Sequence, residues 1–276
     1  MASVQHVYKQ VNGASLLYAW FSSMHTRVDI IISGKAENVG RRAAEQIESR
    51  LGALKKIANY YDPYSELSAL NNSSKGKPAV VSEDLFTMIE MCAHYNKLTL
   101  GYFDVSIDSD HHSCDTFSHI YLSRDDSSIT FGKEGIRLNL SGFVKGYALD
   151  EARKILENEG IGDALVNIGN SSVLALGDHP AGNGWKIGID FPVKNGAGRV
   201  VTLRNECLTT SGNHSVHRKH IKSPFSGEYV EGVRGVSAVT EGAAEGEALS
   251  TALFAAGPGK ASEIIKNFKA TVYNLE

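Results

Sequence analysis

Between Glu37 and Ala58 the apolar residues Val39, Ala43, Ile47, Leu51, Leu54 and Ile57 recur every three or four positions. That spacing lines them up as one stripe of a helix, and the stripe must find a surface to bury against. Just upstream, Val28-Asp29-Ile30-Ile31-Ile32 has the β-branched density of a buried strand. A long one-faced helix following a buried strand commits the chain to packing helix on sheet.

The rest of the chain repeats that alternation without a repeat period or a linker. A second helix is expected from Asp84 to about Lys97, capped by Ser82, with Leu85, Met88, Ile89, Cys92 and Tyr95 as its apolar face. Ile120 to Leu140 reads as β-hairpin material, with Ile129-Thr130-Phe131 and Ile136-Arg137-Leu138 as alternating arms. Helices are expected over Gly146–Asn158 and Ala243–Ala256, the latter stopped by Gly257-Pro258-Gly259. Leu165–Ile168, Trp185–Ile189, Val200–Leu203 and Val236–Thr240 read as strands. The expectation is an α+β fold, a mixed or antiparallel sheet with packed helices, in one domain over residues 1–276.

Composition excludes several partners. The formal net charge of -3 offers no basic footprint for nucleic acid or an anionic membrane. Arg41-Arg42 reads as a solvated surface pair. Cys92, Cys114 and Cys207 are odd in number and widely spaced, so neither a disulfide framework nor a zinc site is indicated, and each reads as a small hydrophobe. No segment approaches the run of about 18 apolar residues that a membrane span needs. The first 25 residues, with His6, Lys9, Gln10 and Asn12, show no signal peptide. A cytoplasmic location and an exported domain without its leader both stay open.

Four clusters gather polar residues where a core would not want them. In the first, Tyr60-Tyr61-Asp62-Pro63-Tyr64-Ser65, aromatics beside a proline turn can stack a flat ring, or the segment simply connects two helices with Ser65 as a cap. The second, Leu138 to Asp150, reads as strand, Gly-Ser turn and helix, a place for phosphate to which Lys145 adds a charge. It lacks the order of a Walker or Rossmann loop. The third runs from Leu208-Thr209-Thr210-Ser211-Gly212-Asn213-His214 through His217, Arg218, Lys219 and His220 to Gly227. Its histidines lack zinc-peptidase spacing, and Ser211 lacks a nucleophile elbow. In the fourth, Glu247 and Thr251 share one helix face with Ser250 beside them. One carboxylate with hydroxyls suits Mg²⁺, which lets substrate phosphates complete its octahedron, or is merely an acidic first turn.

Taken in order, these clusters resemble the FAD:protein FMN transferase family, the ApbE-like flavin transferases. The resemblance spans Met24 to Gly257 and is carried by Tyr64-Ser65-Glu66-Leu67 with Asn71, Gly101-Tyr102-Phe103-Asp104, Val144 to Asp150, Ala164 to Gly169, Thr210-Ser211-Gly212, His220 with Pro224, and Ala248 to Leu253. It implies an ApbE-like, T-fold-related architecture that binds FAD as a substrate. Met24, Tyr61, Tyr102, Phe103, Asp104, Asn139, Lys145, Thr210, Ser211, His220 and Ile221 would contact that FAD. Mg²⁺ would be held by the Gly142 carbonyl, Glu247, Ser250 and Thr251, and His220, Glu247 and Thr251 would carry the chemistry. The implied reaction is Mg²⁺-dependent transfer of FMN to a Thr or Ser hydroxyl of an acceptor flavoprotein, with AMP leaving.

The chain departs from the family pattern at functional positions. The family has Asp where Asn139, Glu247 and Ser223 stand, and Gly-Gly-Asp where Gly169-Asn170-Ser171 stands. The segment between Asp104 and Tyr121 is also short. An FAD-binding relative with little or no turnover is the first alternative, and an FAD pyrophosphatase yielding FMN and AMP is the second.

Overall fold

The computed structural model describes residues 4–11, 14–189, 199–213, 215 and 219–275. The expected site residues His214, His217 and Arg218 lie outside the described residues. Strands β1 (Gln5–Val11), β2 (Ala14–Ser23) and β3 (Thr26–Ser33) open the chain as a meander. Helices α1 (Glu37–Ala58) and α2 (Glu66–Asn71), the short β4 (Ala79–Val80) and α3 (Glu83–Leu98) follow. Next come β5 (Ile120–Ser123), β6 (Ser128–Phe131), α4 (Val144–Asn158), β7 (Ala164–Ile168) and β8 (Ser172–Leu176). The last elements are β9 (Trp185–Ile189), β10 (Arg199–Leu203), β11 (Glu206–Asn213), β12 (Arg234–Thr240), α5 (Ala243–Ala256), α6 (Pro258–Ile265) and β13 (Thr271–Leu275).

Among the described residues, eight strands form the main sheet in the order β1-β2-β3-β7-β8-β11-β12-β13. Each of its ladders is antiparallel. Alternation along β3 shows how the sheet divides its two faces. Val28, Ile30 and Ile32 bury against the helices with Ile47, Leu51 and Leu54 of α1, whereas Ile31 points to the opposite face. There the β9–β10 hairpin lays Trp185 over Val173, Ala175, Leu208 and Val239, and the indole donates to the Leu176 carbonyl at 2.8 Å.

The helix ends are built as their sequences dictate. Ser82 accepts from the Leu85 amide at 3.3 Å, and Ser65 accepts from the Ser68 amide at 3.1 Å. Helix α5 starts at Gly242 without a capping side chain of its own. Its first amides, Ala243 and Ala244, instead donate to the two oxygens of Asp150 in α4 at 2.7 and 3.0 Å. A tertiary contact thus supplies the cap and fixes α4 against α5.

Two sequence expectations are corrected. The hairpin is β5 with β6, and Ile136–Leu138 is not a strand. Its backbone bonds side chains instead: Leu138 exchanges two hydrogen bonds with Asn71 at 2.8 and 2.9 Å, and the Arg137 amide donates to Ser109 at 2.9 Å. Cys92 and Cys207 are buried as small hydrophobes, but Cys114 is exposed.

Candidate active site

A cleft of about 490 Å³ opens between the first turn of α4, the ends of β8 and β11, helix α5 and the 219–224 segment. It brings together residues from all four sequence clusters. Tyr61, Tyr102, Phe103, Asp104, Asn139, Gly142, Lys145, Thr210, Ser211, His220, Ile221, Glu247 and Thr251 line it. Met24 lines an adjoining recess of about 230 Å³ that shares Tyr61, Ser141 and Lys145 with the cleft. Ser250 lies behind the wall, fully buried, where its hydroxyl meets Ser211 at 2.9 Å. Ser211 in turn lies 3.0 Å from the Thr251 hydroxyl.

The floor of the cleft depends on two close approaches that only glycine permits. A Cβ on Gly146 would sit 2.5 Å from the Ala243 carbonyl oxygen and 2.7 Å from Cγ of Glu247. A Cβ on Gly246 would sit 2.6 Å from Thr209 Oγ1. These contacts let α4 and α5 meet each other and β11, so that Lys145 and Glu247 face one another at 3.9 Å. Burial pushes the Glu247 carboxyl up, and the Lys145 charge and a hydrogen bond from Ser172 partly offset it. Burial disfavours the charged carboxylate, and a nearby cation favours it.

In the turn entering α4, where the sequence suggests a place for phosphate, part of the amide set is already committed. The amides of Val144, Gly146 and Tyr147 already donate to the Leu140 and Phe143 carbonyls. The Lys145 ammonium adds a positive charge at the same turn.

Asp108, also in the cleft lining, belongs to no recognised motif. Asp108 accepts from Asn139 at 2.9 Å and from Lys222 at 2.8 Å. Burial opposes its ionisation, but these two donors outweigh burial and hold the carboxyl below its ordinary range. The same contact raises Lys222. Asp104 is locked by the Ser106 amide and hydroxyl at 2.8 and 2.6 Å, with His112 Nε2 2.8 Å from its other oxygen. Asp108 and His112 escaped sequence reasoning because a run of Asp, Ser and His reads as a solvated loop. Around the mouth, Tyr61 is 75% exposed, and Tyr102 packs on Phe225 with ring centres 4.5 Å apart.

Among the described residues, no three His, Cys, Asp or Glu side chains converge as a metal cage. Oxygen donors in the same lining are the Glu247 carboxylate, the Thr251 hydroxyl and the backbone of Gly142, with the Lys145 ammonium 3.9 Å from Glu247. An all-oxygen set of this kind suits a hard cation that keeps most of its ligands as water.

An antiparallel α+β fold with one mixed-charge, aromatic-rimmed cleft defines the class of protein, and comparison with known sequences specifies it. The model of the ApbE family matches residues 24–274, and the chain belongs to that family. An FAD:protein FMN transferase of Chlamydia pneumoniae is 24% identical over 257 residues, covering 81% of this chain and 80% of that protein. Its namesake in Escherichia coli K12 is 23% identical over 266 residues, 84% of this chain and 76% of that one. Another from Rhodobacter capsulatus is 34% identical over 139 residues, 48% of this chain, and the match spans about a quarter (26%) of that longer protein. The flavin transferase ApbE of Vibrio cholerae superposes with a TM-score of 0.81 at 19% identity, covering 99% of this chain and 94% of its own. The ApbE protein of Thermotoga maritima gives 0.79 at 20% identity, covering 98% and 94%. At these identities the structural likeness establishes the fold.

Proposed function

We propose that this chain is an FAD:protein FMN transferase, moving FMN from FAD to a Thr or Ser hydroxyl of an acceptor protein and releasing AMP. The observation that carries this reading is the convergence of an aromatic mouth, the Lys145 ammonium and the buried Glu247 carboxylate in one cleft. The names of the family relatives support it.

In this reading Tyr61, Tyr102 and Phe103, with Met24 in the adjoining recess, hold the flat flavin, and Asp104 and Asn139 hold its polar atoms. Lys145 takes phosphate oxygen, with Thr210, Ser211 and Ile221 along the same wall. Glu247, Thr251 and the Gly142 carbonyl are the residues that would hold Mg²⁺, with Ser250 reaching them through Ser211. A bound Mg²⁺ supplies neutralisation of the charge that builds up on the diphosphate as it is cleaved. The acceptor oxygen forms a bond to the FMN phosphorus while the bond from that phosphorus to the AMP oxygen breaks. AMP departs with the electron pair, and the hydroxyl proton passes to a base, for which His220 is placed in the cleft lining.

The test incubates the protein with FAD and a Thr-containing acceptor, with and without Mg²⁺, following AMP and the mass of the acceptor. The expected outcome is AMP release in step with acceptor flavinylation, lost without Mg²⁺ and reduced by about a thousandfold or more in Glu247→Ala. AMP without an acceptor would identify a pyrophosphatase, and bound FAD without AMP a flavin carrier. Either result would overturn the transferase reading.

A further inference from the structure

We propose that the turn joining β7 to β8 is the positioning device of this site, with Ser171 holding Lys145 and Ser172 holding Glu247 through one directional hydrogen-bond chain. This rests on the transferase reading and assigns the site two positioning residues.

The chain begins at Lys145, whose ammonium donates to Ser171 Oγ at 2.5 Å. Ser171 Oγ lies 3.3 Å from Ser172 Oγ, and Ser172 Oγ donates to Glu247 Oε1. Proton counting fixes the middle link. Ser172 has one hydroxyl proton and directs it at the carboxylate, so Ser171 must donate to Ser172. Ser171 is free to do so because it accepts from Lys145. Every donor therefore points from the ammonium toward the carboxylate, the arrangement in which successive hydrogen bonds polarise one another.

The geometric consequence concerns the two charges. An unrestrained lysine and glutamate at this range close to a direct contact of about 2.8 Å, each consuming the other. Here they stand 3.9 Å apart, each bonded to a serine. Held so, the ammonium remains available to phosphate oxygen and the carboxylate to a cation.

The turn itself has little freedom. Gly169 and Asn170 both adopt positive φ, 66° and 59°. A Cβ on Gly169 would lie 2.7 Å from Thr26 Oγ1, and its amide donates to the Arg27 carbonyl at 3.0 Å. Asn167 accepts from the Asn170 amide at 3.0 Å, and the Ser171 carbonyl accepts from the Thr210 amide at 2.7 Å. Ser172 is fully buried and pairs with Ile168 and Thr209 on its two flanking strands. Strands β3, β7 and β11 thus fix where the two hydroxyls stand.

The experiment compares Ser171→Ala and Ser172→Ala alone and in the Lys145→Met and Glu247→Ala backgrounds. It measures FAD affinity by flavin fluorescence and kcat for AMP release with the acceptor saturating. Ser172→Ala should lower kcat by about tenfold to a hundredfold, with FAD affinity changed less than about threefold. Ser171→Ala should weaken FAD binding by about tenfold. In the background lacking its own partner, each serine substitution should have no further effect, because it has nothing left to position. Losses that multiply in those backgrounds, or wild-type values for either single variant, would overturn the proposal. Should Ser172→Ala not fold, Ser172→Cys keeps the volume with a weaker donor and carries the same comparison. A wild-type protein that binds no FAD rejects the transferase reading itself, an outcome distinct from serine variants that match an active wild type.

Discussion

Lys222 shows how a single residue changes meaning when its neighbours become known. In the sequence it is a positive charge that stands in part for a metal's; in the structure it is a cleft ammonium tethered to Asp108 at 2.8 Å and set 5.5 Å from the Tyr229 ring centre. Asp108 holds it in place, and Asn139 holds Asp108. If Lys222 serves FAD binding, Lys222→Met should weaken FAD affinity by about tenfold, measured by fluorescence titration. Thermal stability should change little, because Asn139 still donates to the Asp108 carboxylate once the ammonium is gone. A variant that binds FAD as the wild type does, but melts several degrees lower, would assign Lys222 a purely structural role. Tyr61 and Lys145 could be picked out from the sequence because their types announce stacking and charge. Asp108 could not, because its partners are 31 and 114 residues away.

At the scale of elements, the crossing of α4 and α5 decides the site. Replacing an exposed helical glycine by alanine ordinarily stabilises a helix by about 1 kcal/mol. Gly146→Ala should do the opposite, because its Cβ would meet the Ala243 carbonyl, which is backbone and cannot swing aside. The expected cost is about 1–3 kcal/mol in denaturant unfolding, with a loss of turnover as Lys145 and Glu247 separate. The helices themselves were legible: α1 and α5 fall where periodicity and flanking residues put them. The second arm of the expected hairpin failed because alternation is necessary for a strand but not sufficient. Ile136–Leu138 alternates, yet Asn71 and Ser109 satisfy its backbone before another strand can. Strand β11 escaped notice for the converse reason. It buries Thr209, Ser211 and Asn213, so a central strand carries the composition of a loop.

Over the whole molecule, Arg50 ties the helical layer together, linking α1 to Asp84 of α3 at 2.6 Å and to Glu151 of α4 at 2.9 Å. The hydrogen bonds from Arg50 are the main cause that holds the Asp84 carboxyl below its ordinary value, against the effect of burial. A carboxyl lowered by folding contributes stability that is fully present above the unfolded pKa of about 3.9 and is lost as pH falls through the folded value. Denaturant unfolding from neutral pH into the acid range should therefore show a steep loss of stability in that window. Arg50→Met should lower the plateau and flatten the acid limb; an unchanged acid limb would mean that other carboxylates dominate it.

The layered α+β fold, its main helices and the membership of the ApbE family follow from the sequence itself. They rest on local periodicity and on short motifs whose residues lie next to one another. The strand order, the Asp150 cap on α5, the Asp108–Lys222 pair and the serine chain between Lys145 and Glu247 were decided only by the tertiary structure. The reason is physical. Each depends on groups far apart in the chain whose partners are chosen by packing, and in three of them by the burial that makes an unpaired charge costly. No local pattern encodes such a choice.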